Sequence, residues 1–195
     1  MASTKRRKDH VYRMVASPMG NLKLVASTDG LAAILWDNED PRRVRLNIVV
    51  RDDNHPILLE AARQLQEYFD GRRKAFNLKL DVAGSEFQKT VWRALLTIPF
   101  GETRSYAEIA KQIGRPDAVR AVGAANGKNP IAIVMPCHRL LGSRGELAGF
   151  AGGLEAKARL LDLEGSRAEF TRRGRAVPPH AHPTAPHRSG GGRRG

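Results

Sequence analysis

The 195-residue chain holds a single cysteine, Cys137, set in Pro136-Cys137-His138-Arg139 at the end of the apolar run IAIVMP. A thiol acts as a nucleophile in its thiolate form, which needs a neighbouring base or a positive field. His138 offers an imidazole that can take the proton, Arg139 adds positive charge, and Pro136 fixes the approach of the backbone. Side chains of adjacent residues rarely bond each other directly, so transfer from Cys137 to His138 calls for a bridging water. The competing reading is a buried cysteine that only packs. Glu164, near the end of the last helical stretch, is by default a solvated carboxylate. It joins the chemistry only if it reaches His138 and sets its tautomer.

These residues must be positioned by the segments around them. Residues 11–50 alternate in three runs broken at Pro18-Met19-Gly20-Asn21 and Asp29-Gly30, which predicts three antiparallel strands. PILLEAARQLQEYF (56–69) places Ile57, Leu58, Ala61, Leu65 and Phe69 on one helical face, with Pro56 at its start and Gly71 at its end. Phe76, Leu78 and Leu80 alternate as a short edge strand would. Ser85 caps a helix running to about Thr97, with Phe87, Val91, Ala94 and Leu95 inward. Ser105-Tyr106-Ala107-Glu108 is a capping box, followed by Ala107, Ile109, Ala110 and Ile113 as an apolar side. Gly114-Arg115-Pro116 breaks that helix, and another starts at Pro116 or Asp117 and ends near Gly127. Two short helices joined by a tight turn fit a helix-turn-helix, and equally an ordinary helical hairpin. The second of them (DAVRAVGAANG) is nearly bare, with Ala118, Ala121, Gly123, Ala124 and Ala125 around the lone cation Arg120. Small side chains permit close approach to another helix or to a nucleic-acid groove, and the lone arginine favours the groove. Glycine-rich GELAGFAGGLE then leads into a final helix with Leu154, Ala158 and Leu161 inward.

The fold class expected is therefore an α/β (α+β) N-terminal domain with an antiparallel sheet, then a mainly α C-terminal domain with a winged-helix-like helix-turn-helix. Boundaries fall at a basic N-terminus (1–10), a first domain (11–83), a second (84–165) and a basic Pro/Gly/Arg-rich tail (166–195). One cysteine excludes a disulfide framework and a cysteine-based zinc cluster. No run approaches the roughly 20 apolar residues of a membrane helix, and MASTKRRKDHVYR lacks a secretory apolar core, so a cytoplasmic protein is expected; a monomer is expected as well. The formal charge is +13, yet +3 lies in residues 1–10 and +6 in 166–195. The informative excess is local: residues 104–144 hold seven basic and two acidic groups around the motifs above.

FQKTVWRALLTIPFGETRSYAEIA, GRPDAVRAVGAANGKNPIAIVMPCHR and GELAGFAGGLEAKARLLDLEG together resemble the methylated-DNA–protein-cysteine methyltransferases, the O6-alkylguanine-DNA alkyltransferases, most closely the bacterial constitutive type. The resemblance runs from about Phe87 to Gly165 and more loosely through the first half. It implies a single-turnover DNA repair protein that flips an O6-alkylguanine, or an O4-alkylthymine, out of double-stranded DNA. The alkyl group then passes to Cys137 as a stable thioether, with no cofactor. His138 would be the base through a water, Glu164 its orienter, and Tyr106 the donor to guanine N3. Asn129 would brace the turn before the active-site segment. Arg120 would fill the space of the extruded nucleotide, with Ala118, Ala121 and Ala124 on a helix in the minor groove and Arg139 also at the DNA. Phe150 would wall the base pocket, and backbone groups at Cys137, Leu140 and Ala151 would line it.

Phe150 stands where the family often has tyrosine, keeping a ring and losing a hydroxyl, and Met135 replaces a branched aliphatic. The zinc site of some relatives uses cysteines that this chain lacks, so no structural metal is expected. His180, His182 and His187 lie in the proline-rich tail, which reads as disordered. Three other readings compete with this one. A non-catalytic alkyl-lesion binder would lack Cys137, a papain-like hydrolase would separate Cys from His, and a transcription regulator would leave the thiol unreactive.

Overall fold

The computed structural model describes residues 9–166. Four strands form the first sheet: β1 (His10–Val15), β2 (Leu22–Ala26), β3 (Leu31–Trp36) and β4 (Ile48–Arg51), in the order β3-β2-β1-β4. The three expected antiparallel strands are present, and β1 pairs with β2 and β2 with β3 in that sense. The sheet as a whole is mixed, however, because β4 lies parallel to β1, with Val50 opposite Val11. Since β3 and β4 occupy opposite edges, residues 37–47 must cross from one side of the sheet to the other. A parallel neighbour requires such a crossover, and it carries no hairpin signal that a sequence could show.

Helix α1 (Pro56–Phe69) packs against β2, burying Leu58, Ala61, Leu65 and Tyr68. The edge strand expected over Phe76–Leu80 is absent. In its place the chain makes one parallel bridge, Leu31 to Leu80, through Leu31 N–H to the Lys79 carbonyl at 2.8 Å and Asp81 N–H to the Leu31 carbonyl at 2.9 Å. Gly30 is what lets this segment lie so close, since a Cβ there would stand 2.6 Å from the Lys79 oxygen.

The helices of the second half follow their local signals. Ser85 and Gln88 form a reciprocal capping box on α2 (Glu86–Leu95), and Ser105 and Glu108 form another on α3 (Tyr106–Gln112). Each satisfies amide donors that the first turn would otherwise leave unpaired. Gly114, at φ +71°, ends α3 in the left-handed conformation that glycine adopts without strain. Helix α4 (Val119–Gly127) starts two residues later than Asp117, because Arg115–Ala118 closes a turn first. Helices α2, α3 and α4 pack on one another, and the Trp92 indole donates to the Ala125 carbonyl at 2.9 Å. Short strands β5 (Arg104–Ser105) and β6 (Leu140–Leu141) pair in parallel, and α5 (Gly153–Leu163) completes the fold. Ala158 and Leu161 face inward as expected, whereas Leu154 and Ala107 are exposed, each in the first turn of its helix.

One hydrophobic core runs through both halves, from Leu22 and Ile34 to Leu95, Ile109 and Leu160. It is joined by a backbone contact from Ile34 N–H to the Pro130 carbonyl at 2.9 Å. Replacing Gly30 with alanine should cost about 1–3 kcal/mol, as overpacking against fixed backbone does, which urea unfolding of the variant and the parent would read.

Candidate active site

The active-site segment begins with a tight turn over 131–135, in which Val134 N–H reaches the Ala132 carbonyl and Met135 N–H the Ile131 carbonyl. Ile133 sits at φ +71° while almost fully buried. A β-branched residue in the left-handed region costs on the order of 1–3 kcal/mol and persists only where its surroundings enforce it. Asn129 does so from inside the turn: its amide donates to the Met135 carbonyl at 2.8 Å and its oxygen accepts from Ile131 N–H at 3.0 Å. Arg43, from the crossover between β3 and β4, donates to the Asn129 carbonyl at 2.6 Å and is held by Glu39 at 2.8 Å.

Cys137, His138 and Arg139 form a single 3-10 turn, and all three are buried. His138 has no exposed surface, and its Nε2 lies 2.8 Å from Glu164 Oε1. A carboxylate only accepts, so Nε2 carries the hydrogen and Nδ1 the lone pair. Nδ1 is buried and has no protein partner. The pairing of Glu164 with His138, conditional in the sequence, is therefore made.

Arg139 departs from its expected place at the DNA. Its Nε and Nη2 grip Glu164 at 2.8 Å each, and Nη1 donates to the Ile98 carbonyl. All its donor edges point inward because the buried carboxylate needs a cation. Tyr68, from α1, donates its hydroxyl to Glu164 Oε1 at 2.7 Å, and Gly101 N–H approaches Oε2 at 3.3 Å. Burial alone would raise the Glu164 pKa, but the hydrogen bonds and charges of His138 and Arg139 outweigh it and bring it to about 2. For His138 burial dominates and holds the imidazole neutral against the pull of Glu164.

Cys137 lies on the wall of a cavity of about 270 Å³, whose lining includes Tyr106, Gly123, Asn126, Asn129, Phe150 and Ala151. That is near the small end of ligand pockets. Leu140, whose backbone was expected at the pocket, is not among the lining residues: its carbonyl accepts from the buried Lys157 ammonium and its side chain lies in the core. Phe150 is clamped edge-on between Trp36 and His138, with centroids 5.7 and 6.5 Å away. Burial pushes the Cys137 thiol up, opposed by the Lys157 charge and the Asn129 amide. Burial in turn lowers Lys157 to about 8, and burial together with the Cys137 charge raises Tyr106 to about 12. The resting thiol is thus neutral and shielded.

Helix α4 walls the same cavity from the other side. Val122, Ala125 and Asn126 face inward, while Arg120, Ala121 and Ala124 are exposed and Ala118 is half-buried. Lys157, Asn126, Arg43 and Tyr68 were not singled out in the sequence. Lys157 and Tyr68 look like ordinary members of amphipathic helices, and nothing local distinguishes Arg43 from its neighbour Arg42. Among the described residues no cluster of three metal-ligating side chains occurs, and no helix is long and apolar enough to cross a membrane. The tail histidines 180, 182 and 187 lie outside the described residues.

A helix-turn-helix whose second helix lines a cavity that also holds Cys137, with the His138–Glu164 pair buried beside that cysteine in the chain, defines a thiol-bearing protein of the DNA-binding helical class. Comparison with known families narrows this. Residues 10–82 match the ribonuclease-like domain of 6-O-methylguanine DNA methyltransferase, and residues 86–166 match its DNA binding domain. The chain belongs to this family. It is 48% identical over 158 residues to a methylated-DNA–protein-cysteine methyltransferase of Methanosarcina acetivorans, covering 80% of this chain and 98% of that one. It is 50% identical over 155 residues to the protein of that name from Mycolicibacterium paratuberculosis, covering 78% and 91%. Among solved structures, Mycobacterium tuberculosis OGT in complex with DNA superimposes with a TM-score of 0.74 at 47% identity, covering 81% of this chain and 94% of that one.

The charge on Glu164 has a consequence for stability. Its pKa is lower folded than unfolded, so its contribution is complete above about 4.5 and is lost as the pH falls toward about 2. Glu164→Gln should flatten the stability profile in that window. At neutral pH it should cost about 3–5 kcal/mol by leaving Arg139 buried without its carboxylate, as denaturant unfolding across pH would show.

Proposed function

We propose that this protein repairs O6-alkylguanine in duplex DNA by moving the alkyl group irreversibly onto its own Cys137, once per molecule. The observation that carries this reading is Cys137 on a cavity lined also by α4, followed directly by His138, whose Nε2 is held by Glu164 so that Nδ1 keeps its lone pair. His138 Nδ1, bearing the lone pair, takes the thiol proton through a water, and Glu164 stabilises the imidazolium that forms. The sulfur attacks the alkyl carbon, the S–C bond forms as the C–O6 bond breaks, and the bonding pair passes into the guanine. The Tyr106 hydroxyl, kept protonated by burial, donates to N3 as negative charge develops there. Lys157 adds a positive field on the sulfur, while Asn129 holds the turn that presents it.

The exposed face of α4 supplies DNA contact: Ala118, Ala121 and Ala124 permit close approach in the minor groove, and Arg120 takes the place of the flipped nucleotide. Phe150 and Ala151 line the base pocket, and Phe150 provides a wall without a hydroxyl. Residues 11–83 and 84–165 form two domains that meet at the site, and the protein acts in the cytoplasm on chromosomal DNA. O4-alkylthymine is a second substrate of the same pocket. A lesion binder without transfer is the less favoured reading, because the acceptor thiol and its base are both present.

Incubation with a duplex bearing one O6-methylguanine, followed by peptide mass spectrometry, should find one methyl on Cys137, in step with lesion loss and saturating at one per protein. Cys137→Ser should abolish transfer while changing duplex affinity by less than about tenfold; transfer by that variant would remove Cys137 as acceptor. Arg120→Ala should slow transfer from duplex by about tenfold or more, because unstacking a base costs a few kcal/mol, and should leave the rate with free O6-benzylguanine unchanged. Equal slowing on both substrates would remove the extrusion role.

A further inference from the structure

The hydroxyl of Tyr68 lies on the catalytic relay although its residue belongs to α1, 96 positions before its partner Glu164. Tyr68 is fully buried, and its 2.7 Å hydrogen bond falls on Oε1, the same oxygen that accepts from His138 Nε2. Arg139 Nη2 also reaches Oε1, whereas Arg139 Nε and Gly101 N–H reach Oε2. The ring is fixed by Phe69, Phe76 and Phe100, with centroids 5.3 to 6.2 Å away. Packing thus places this hydroxyl at one oxygen of one carboxylate. A purely space-filling ring in that apolar cluster would be better served by phenylalanine, since a buried hydroxyl needs a partner to offset its desolvation.

From this geometry we infer that Tyr68 is a positioning residue for alkyl transfer, contributed by the sheet-bearing half of the protein, which limits the basicity of His138 by sharing Glu164 Oε1 with it. The physical reasoning is direct. A neutral donor on Oε1 withdraws charge from the carboxylate, so less is available to the imidazole N–H on the same atom. Without that donor Glu164 draws harder on His138, the imidazolium is favoured, and the imidazole protonates at a higher pH. The other charged or titratable groups around the pair are Arg139 on the 3-10 turn, Lys157 on α5 and Cys137 itself. None of them changes when only the Tyr68 oxygen is removed.

This inference rests on the alkyl-transfer reading, which the methyl count on the parent protein tests by itself. The experiment for Tyr68 is the pH dependence of the single-turnover rate with free O6-benzylguanine, which bypasses duplex binding, for the parent, Tyr68→Phe and Phe76→Leu. Tyr68→Phe keeps the ring and should move the acidic limb of the profile upward by about half to one pH unit, the size of effect one hydrogen bond has on a titration. Phe76→Leu loosens the packing around the ring and keeps the hydroxyl. It should lower the melting temperature and leave the limb in place. An unmoved limb in a folded Tyr68→Phe protein would overturn the inference, as would an equal shift in Phe76→Leu, which would make the effect one of packing. Should Tyr68→Phe fail to fold while Phe76→Leu folds, the hydroxyl would be structural and the inference would fail.

Discussion

The buried carboxylate of Glu164 is the constraint around which the rest of the site is arranged. A negative charge with almost no contact with water is tolerable only when donors surround it. Here four residues from three parts of the chain supply them: Tyr68 on α1, Gly101 in the loop after α2, and His138 and Arg139 on the 3-10 turn, all converging on the C-terminal end of α5. The carboxylate is therefore where the two halves of the protein must agree in position. That agreement is also what orients His138, since the tautomer follows from a partner that only accepts.

A second constraint acts from the opposite side of Cys137. The turn before it holds Ile133 in the left-handed region, a conformation that would relax if it were free to do so. Asn129 spans the turn from within and Arg43 holds the Asn129 carbonyl from the crossover strand connection. The thiol is thus clamped between a strained turn and a charged anchor, with little scope for side-chain reorientation. For a protein proposed to react once, a rigid acceptor is chemically suitable. Burial favours the protonated thiol, opposed by the Lys157 charge, and in the proposed reaction Lys157 and His138 supply the field and the proton acceptor.

How much of this the sequence discloses follows from the range of each interaction. The cap at Ser85, the capping box at Ser105, the glycine stop at Gly114 and the bare face of α4 are local, and each appears in the structure where its residues place it. Cys137, His138 and Glu164 could be named because the first two are adjacent and the third ends a recognisable helix. What was not legible depends on long-range closure. Tyr68 and Lys157 occupy inward helical positions that pattern alone assigns to packing or to solvent. Arg43 matters because an eleven-residue crossover places it beside Asn129, and that crossover was hidden by the same ambiguity that concealed the parallel pairing of β4. Arg139 shows the reverse error. A cation within a basic stretch reads as a DNA contact, yet a buried carboxylate is a stronger claim on a guanidinium than a solvated phosphate reached from the surface.

The composition of α4 can be understood from the two surfaces it must serve together. On one side Val122, Ala125 and Asn126 are buried, with Asn126 and Gly123 forming part of the cavity wall and the Ala125 carbonyl receiving the Trp92 indole. On the other, Arg120, Ala121 and Ala124 are open to solvent. A large residue on the inner face would fill a cavity of only about 270 Å³. A large residue on the outer face would hold the helix away from a narrow groove and lengthen the path from DNA to thiol. In the proposed reaction the helix is therefore the thinnest partition the fold can place between duplex and cavity. Arg120, its only cation, stands at the edge of that partition, where one side chain can occupy the space a flipped base leaves. Small residues on such a helix are commonly read as a sign of helix packing. Here packing accounts for Ala125; helix propensity suits the exposed alanines as well, and the proposed approach of a duplex gives their small size a further reason.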